Sequence, residues 1–146
     1  MKIWEVEKLK KFPNYFLFYG DEFFLSIYEE KIKNQIENTD ILKLYFDEYN
    51  FDVAKSYISQ NSLFGDKITL IIKSDKWPTN IEKLLKILND NNLYIFYSGD
   101  VKKVKTKPFN NNFVRFFKPE LKDLIIVAQN YLSKYNKKID INHLKY

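Results

Sequence analysis

The sequence predicts a three-layer α/β fold, a largely parallel five-stranded sheet with helices on both faces. Two observations predict it. Five short apolar runs alternate with segments of helical periodicity. Alternation of this kind builds parallel sheets, because a parallel neighbour is reached only through a crossover long enough to hold a helix. The runs are also nearly continuous in apolar residues, as strands covered on both faces are.

Taken in order, Lys2 to Phe12 mixes Ile3, Trp4, Val6 and Leu9 with charges and stops at Pro13-Asn14, which predicts a short helix or a strand followed by a helix. Tyr15 to Tyr19 reads as a strand buried on both faces. Gly20-Asp21 turns the chain, and Asp21 is suited to cap a helix running to about Glu37, with Phe24, Ile27, Tyr28, Ile32 and Ile36 near helical spacing. Ile41 to Phe46 is the second strand. Asp52 is the expected cap of a shorter helix carrying Ala54, Tyr57 and Ile58 on one face and ending near Gln60 or Asn61. Lys67 to Ile72 is the third strand, Trp77-Pro78 a loop, Ile81 to Leu88 a helix, and Leu93 to Tyr97 the fourth strand. Ser98-Gly99-Asp100 turns out of it into Val101 to Asn112, a polar loop or frayed helix. Phe113 to Phe117 is the fifth strand. Pro119 suits the first turn of a helix from about Glu120 to Tyr135, with Leu121, Leu124, Ile125, Ala128 and Leu132 on its apolar face. After Lys137-Lys138-Ile139, Asp140 looks like the cap of one more helix that breaks off at Tyr146, which suggests a fragment of a longer protein. Residues 1–117 form the expected α/β domain, and 118–146 the start of a truncated helical one.

At 146 residues the chain holds one domain, or one and part of another. It is 45% hydrophobic and 18% aromatic, too apolar for a disordered chain. The absence of cysteine excludes disulfides, cysteine-based zinc sites and thiol catalysis. A net charge of +5 permits contact with nucleic acid or an acidic protein surface and demands neither. No apolar run approaches the roughly 18–20 residues of a membrane span, and no secretory signal is visible. A cytoplasmic protein without membrane contact is expected.

Catalytic chemistry is hard to find. In a doubly wound sheet the first strand-to-helix turn is the usual phosphate site. A P-loop there reads Gly-x-x-x-x-Gly-Lys-Ser/Thr, with amides cradling phosphates and a lysine on the terminal one. This chain has Gly20-Asp21-Glu22, which keeps one glycine, lacks the lysine and sets two carboxylates where an anion would bind. His143, the only histidine, has no ligand or triad partner nearby in sequence. Asp47-Glu48 fits a solvated strand end. No catalytic set, metal site or cofactor is expected. Lys102, Lys103, Lys105 and Lys107 form the best nucleic-acid signal, without interleaved aromatics. Trp4 and Trp77 suit core or lid packing better than stacking. Ser62, Leu63 and Phe64 fall past the expected helix end, with Gly65 free to take positive φ and turn the chain into the third strand. Leu63 and Phe64 are then either core packing or a plug for a partner.

The ordered motifs carry a resemblance. They are Tyr15-Phe16-Leu17-Phe18-Tyr19-Gly20-Asp21-Glu22-Phe23-Phe24-Leu25, Ser62-Leu63-Phe64-Gly65-Asp66-Lys67-Ile68-Thr69-Leu70-Ile71-Ile72-Lys73, Leu93-Tyr94-Ile95-Phe96-Tyr97, Phe116-Phe117-Lys118-Pro119 and Lys137-Lys138-Ile139-Asp140. In order and spacing the chain resembles the delta-subunit family of the bacterial DNA polymerase III clamp loaders. The resemblance implies an AAA+ ATPase-like α/β domain without a working P-loop, followed by the start of a small helical lid. It implies that Leu63 and Phe64, supported by Ser62, Asn61 and Gly65, insert into the pocket of the ring-shaped sliding clamp, the beta subunit of that polymerase. The subunit then favours ring opening for loading onto primed DNA without hydrolysing ATP itself. It is a non-catalytic part of a DNA-directed DNA polymerase holoenzyme and contacts DNA only indirectly or weakly. Contacts to the other loader subunits run through a C-terminal domain missing here. The match departs at Asn61, polar where family members can carry an apolar wedge. A basic nucleic-acid-binding module using the Lys102–Lys107 loop is the alternative.

Overall fold

The computed structural model describes the backbone of residues 1–36, 39–64 and 67–135, and their side chains except at 60–64 and 134–135. Five strands make one parallel sheet in the order β2-β3-β4-β1-β5. They are β1 (Tyr15–Gly20), β2 (Asp40–Tyr45), β3 (Ile68–Ser74), β4 (Asn92–Tyr97) and β5 (Phe113–Phe116). The helices are α1 (Ile3–Glu7), α2 (Glu22–Gln35), α3 (Phe51–Phe64), α4 (Ile81–Ile87) and α5 (Leu121–Tyr135). The α/β class, the all-parallel sheet and the flanking helices are as the sequence predicts.

Strand alternation separates two cores. On one face Phe16 and Phe18 of β1, Ile71 of β3, and Tyr94 and Phe96 of β4 meet Leu25, Tyr28 and Ile32 of α2, with Val6 of α1 at the side. On the other, Leu17, Leu70, Ile72, Leu93 and Ile95 meet Ala54 and Ile58 of α3, Ile81 and Leu84 of α4, and Phe109. The connection from β1 crosses one face toward the far edge; the later ones step back across the other. Reversing both face and direction keeps one crossover hand throughout. The α2 face is largely aromatic. Phe18 and Phe96 stack at 4.9 Å, and Tyr28 stacks on Phe116 at 4.9 Å, a geometry that adds to the gain from burial alone.

Several boundaries differ from the sequence reading. Phe46 leaves β2 because its φ of +55° cannot continue a strand. The cap of α3 is Asn50, whose side-chain oxygen accepts from the amides of Asp52 (2.8 Å) and Val53 (3.2 Å). Asp52 lies in the first turn instead, where its charge still favours the helix dipole. The same helix continues to Phe64, so Asn61, Ser62, Leu63 and Phe64 belong to it and do not follow it. Pro119 precedes the first turn of α5. The backbone amide of Glu120 there donates to the Asp123 carboxylate at 3.1 Å. Residues 101–112 fold as two 3₁₀ turns, Val101–Lys103 and Lys107–Phe109.

Candidate functional site

Parallel strands give the sheet two chemically different edges, and ligands of such sheets gather beyond the carboxyl ends of the strands. The Gly20-Asp21-Glu22 turn lies at that edge. Asp21 alone separates the end of β1 from the start of α2, so the turn has no length to wrap a phosphate. The Asp21 carboxylate itself accepts the Phe23 amide at 3.0 Å, where an anion would otherwise bind. Gly20 answers to β5. Its φ is +122°, a Cβ on it would sit 2.0 Å from the Phe116 carbonyl oxygen, and the next amide, of Asp21, bonds that oxygen at 3.0 Å. Glu22 is exposed.

Close to this edge is a cluster that the sequence reading missed. Glu29 of α2 is only 6% exposed. Its carboxylate accepts from the Tyr45 hydroxyl at 2.7 Å and pairs with the ammonium groups of Lys33 (3.0 Å) and Lys73 (3.2 Å). Burial pushes the Glu29 carboxyl up, but the bonds from Tyr45, Lys33 and Lys73 together outweigh it and hold the group below its ordinary value. Burial, then the bond to Glu29, push the Tyr45 hydroxyl up to about 12. The Glu29 bond raises Lys33. The cluster joins α2 to the ends of β2 and β3. A carboxylate already holding three donors is a structural tie, poorly placed to take a proton from a substrate.

The Leu63-Phe64 pair lies at the opposite, amino edge, in the last turn of α3 ahead of β3. The seven residues of β3 separate the two edges, roughly 20 Å at strand spacing. The structure therefore does not bring Leu63 and Phe64 together with Gly20, Asp21 and Glu22. Ala54 and Ile58 mark the core face of α3. Phe51 and Tyr57 of the same helix are partly buried against the same core. The side chains of Asn61, Ser62, Leu63 and Phe64, and the whole of Gly65, lie outside the described residues, as do Lys137, Asp140 and His143. Where β3 begins, the register is pinned: Asn91 Oδ1 accepts the Ile68 amide at 3.2 Å, and the Thr69 hydroxyl bonds Thr39 at 2.8 Å and Asn92 at 3.0 Å.

Lys102, Lys103, Lys105 and Lys107 are all exposed. Their segment crosses the α3/α4 face from the end of β4 to the start of β5. The fully buried Phe109 and the partly buried Val104 hold it there. Asp100 caps its first turn by accepting the Lys102 amide at 2.9 Å, and Asn110 reaches the Tyr15 hydroxyl at 3.0 Å. The inward residues thus set the outward ones. Trp77 packs edge-on against Tyr97 at 5.3 Å, which makes it core. Trp4 is 58% exposed and packs in neither core. The exposed Asp47 pairs with exposed Lys76 at 3.9 Å, a contact of little energetic weight.

Among the described residues no group of three or more His, Cys, Asp or Glu side chains could hold a metal ion, and no helix is long and apolar enough to cross a membrane. A scan against protein-family models and a search of curated proteins found no match to the chain.

Proposed function

We propose that the chain is a clamp-binding, non-hydrolysing part of a clamp-loader delta-type subunit, with a sheet of the AAA+ type and α5 as the beginning of its lid. The observation that carries this reading is the position of Leu63-Phe64. The pair ends α3 at the amino edge, with three residues between it and a strand whose start is pinned, and serves there as an apolar plug. The strand order supports the reading, since β1 is an inner strand with its outgoing turn at the carboxyl edge. The closed turn at Gly20 supports the absence of ATP hydrolysis, because Phe116 and Asp21 use the groups a phosphate would need.

Leu63 and Phe64 fully buried in a clamp pocket contribute roughly 1.5–3 kcal/mol each. After ordering costs this gives only about millimolar binding, so surrounding contacts at the amino edge must add to it. Ring opening then requires only that the subunit bind the open ring more tightly than the closed one. The test is binding to a purified bacterial sliding clamp by surface plasmon resonance. Leu63→Ala with Phe64→Ala is expected to abolish binding while the circular dichroism spectrum is kept. Unchanged affinity in the folded double variant refutes the plug.

A further inference from the structure

The sheet edge at β5 carries a second surface. Among the described residues β5 pairs only with β1. Its even-numbered neighbours bond that strand, through the carbonyls of Asn112 and Phe116, so Phe113, Arg115 and Phe117 turn their backbone outward. Between this edge and α1 runs an open groove of about 860 Å³, lined among others by Lys2, Trp4, Arg115 and Phe117. Trp4 is 58% and Phe117 61% exposed, large values for residues that gain most from burial. Each ring carries a cation: the Arg115 guanidinium lies 4.6 Å from the Phe117 ring and the Lys2 ammonium 5.7 Å from Trp4.

Much of the positive charge lies in the segment that leads into and through β5. Residues 101–118 hold Lys102, Lys103, Lys105, Lys107, Arg115 and Lys118 and no acid, more than the whole chain's net charge of +5. Among the described residues none of these six is in an ion pair. Opposing them at the groove itself is Glu5, whose carboxylate bonds the Lys2 amide at 3.2 Å. A basic track leading to exposed aromatic rings is the arrangement that holds a phosphate backbone and stacks its bases. A duplex keeps its bases stacked and cannot offer them to the rings. A peptide adding as a strand is disfavoured, because the Met1 ammonium already bonds the Phe113 carbonyl on that edge and leaves little of a short strand to pair.

We propose that the groove between α1 and β5 binds single-stranded nucleic acid, with Trp4 and Phe117 stacking bases and the Lys102–Lys107 track and Arg115 following the phosphates. This goes beyond the clamp contact, uses neither Leu63 nor Phe64, and stands or falls separately from it. The test is fluorescence anisotropy of the chain with a labelled single-stranded DNA of ~20 nucleotides and its duplex, over a salt series. The single strand is expected to bind at least about tenfold tighter than the duplex. Trp4→Ala and Phe117→Ala should each weaken it about tenfold, while Trp4→Phe, which keeps a ring, largely restores it. Replacing the four lysines of the track by alanine should flatten the log–log salt dependence by about 3. Both aromatic side chains are exposed, so the variants are expected to keep the wild-type circular dichroism spectrum. No binding at low salt, equal affinity for duplex, or binding indifferent to both aromatic substitutions overturns the proposal.

Discussion

Replacing Gly20 by alanine tests whether this glycine serves the sheet or a ligand. The residue has φ +122°, and an added Cβ would lie 2.0 Å from the Phe116 carbonyl oxygen and 2.9 Å from its carbonyl carbon. Both are backbone atoms, so no rotamer change relieves the contact. Holding a non-glycine residue in this region costs on the order of 1–3 kcal/mol. Moving the end of β5 away weakens the bond from the Asp21 amide to Phe116, 3.0 Å long, worth about 1 kcal/mol. Against this, alanine loses less chain entropy on folding, a gain of about 0.4–1 kcal/mol. The net expectation is a loss of about 1–3.5 kcal/mol, measured by urea unfolding, or a fall in Tm of several degrees. Stability within about 0.5 kcal/mol of wild type would refute the packing argument. A phosphate role for the glycine would then return to consideration.

Glu29→Gln should cost about 2 kcal/mol, below the usual loss for a broken buried pair because Lys33 and Lys73 are each about one-third exposed. Its folded carboxyl is held below the ordinary 4.5, so its contribution is complete above that value and is lost as pH falls through the lower folded one. Urea unfolding from pH 6 to 3 should therefore fall less steeply in Glu29→Gln than in wild type, and parallel curves count against the tie. Phe109→Ala should cost about 3 kcal/mol, since the ring is fully buried. It should also speed amide hydrogen exchange across residues 101–112, and unchanged exchange there counts against Phe109 as the anchor.

The fold was legible because its strands are long enough and apolar enough to be read without partners. Phe16, Phe18, Tyr94 and Phe96 all lie where continuous apolar runs put them, inside. Ends were harder. The third helix is expected to end near Gln60 or Asn61, but polar residues alone do not stop a helix, and α3 passes through them to Phe64. The Glu29 tie was illegible for a different reason. Glu29 sits on α2, Tyr45 ends β2 and Lys73 lies late in β3, so only the packed sheet brings them together. Phe117 was misread as the last residue of β5. The strand ends at Phe116, and the ring that alternation alone would assign to the sheet stands exposed beside Trp4.

These differences bear on where the chain can act. In an open parallel sheet the carboxyl edge is the natural place for chemistry, because turns there leave amides and helix dipoles unclaimed. This sheet has spent those groups on itself at β1, through Phe116 and Asp21. Beside that turn it has locked a buried carboxylate between two lysines and a tyrosine. The surfaces proposed above for partners are the amino edge, where α3 meets β3, and the β5 edge, where Trp4, Arg115 and Phe117 lie. They share no residue. A chain that binds at both behaves as a bridge between partners, and its effect on them depends on the rigidity of the sheet between.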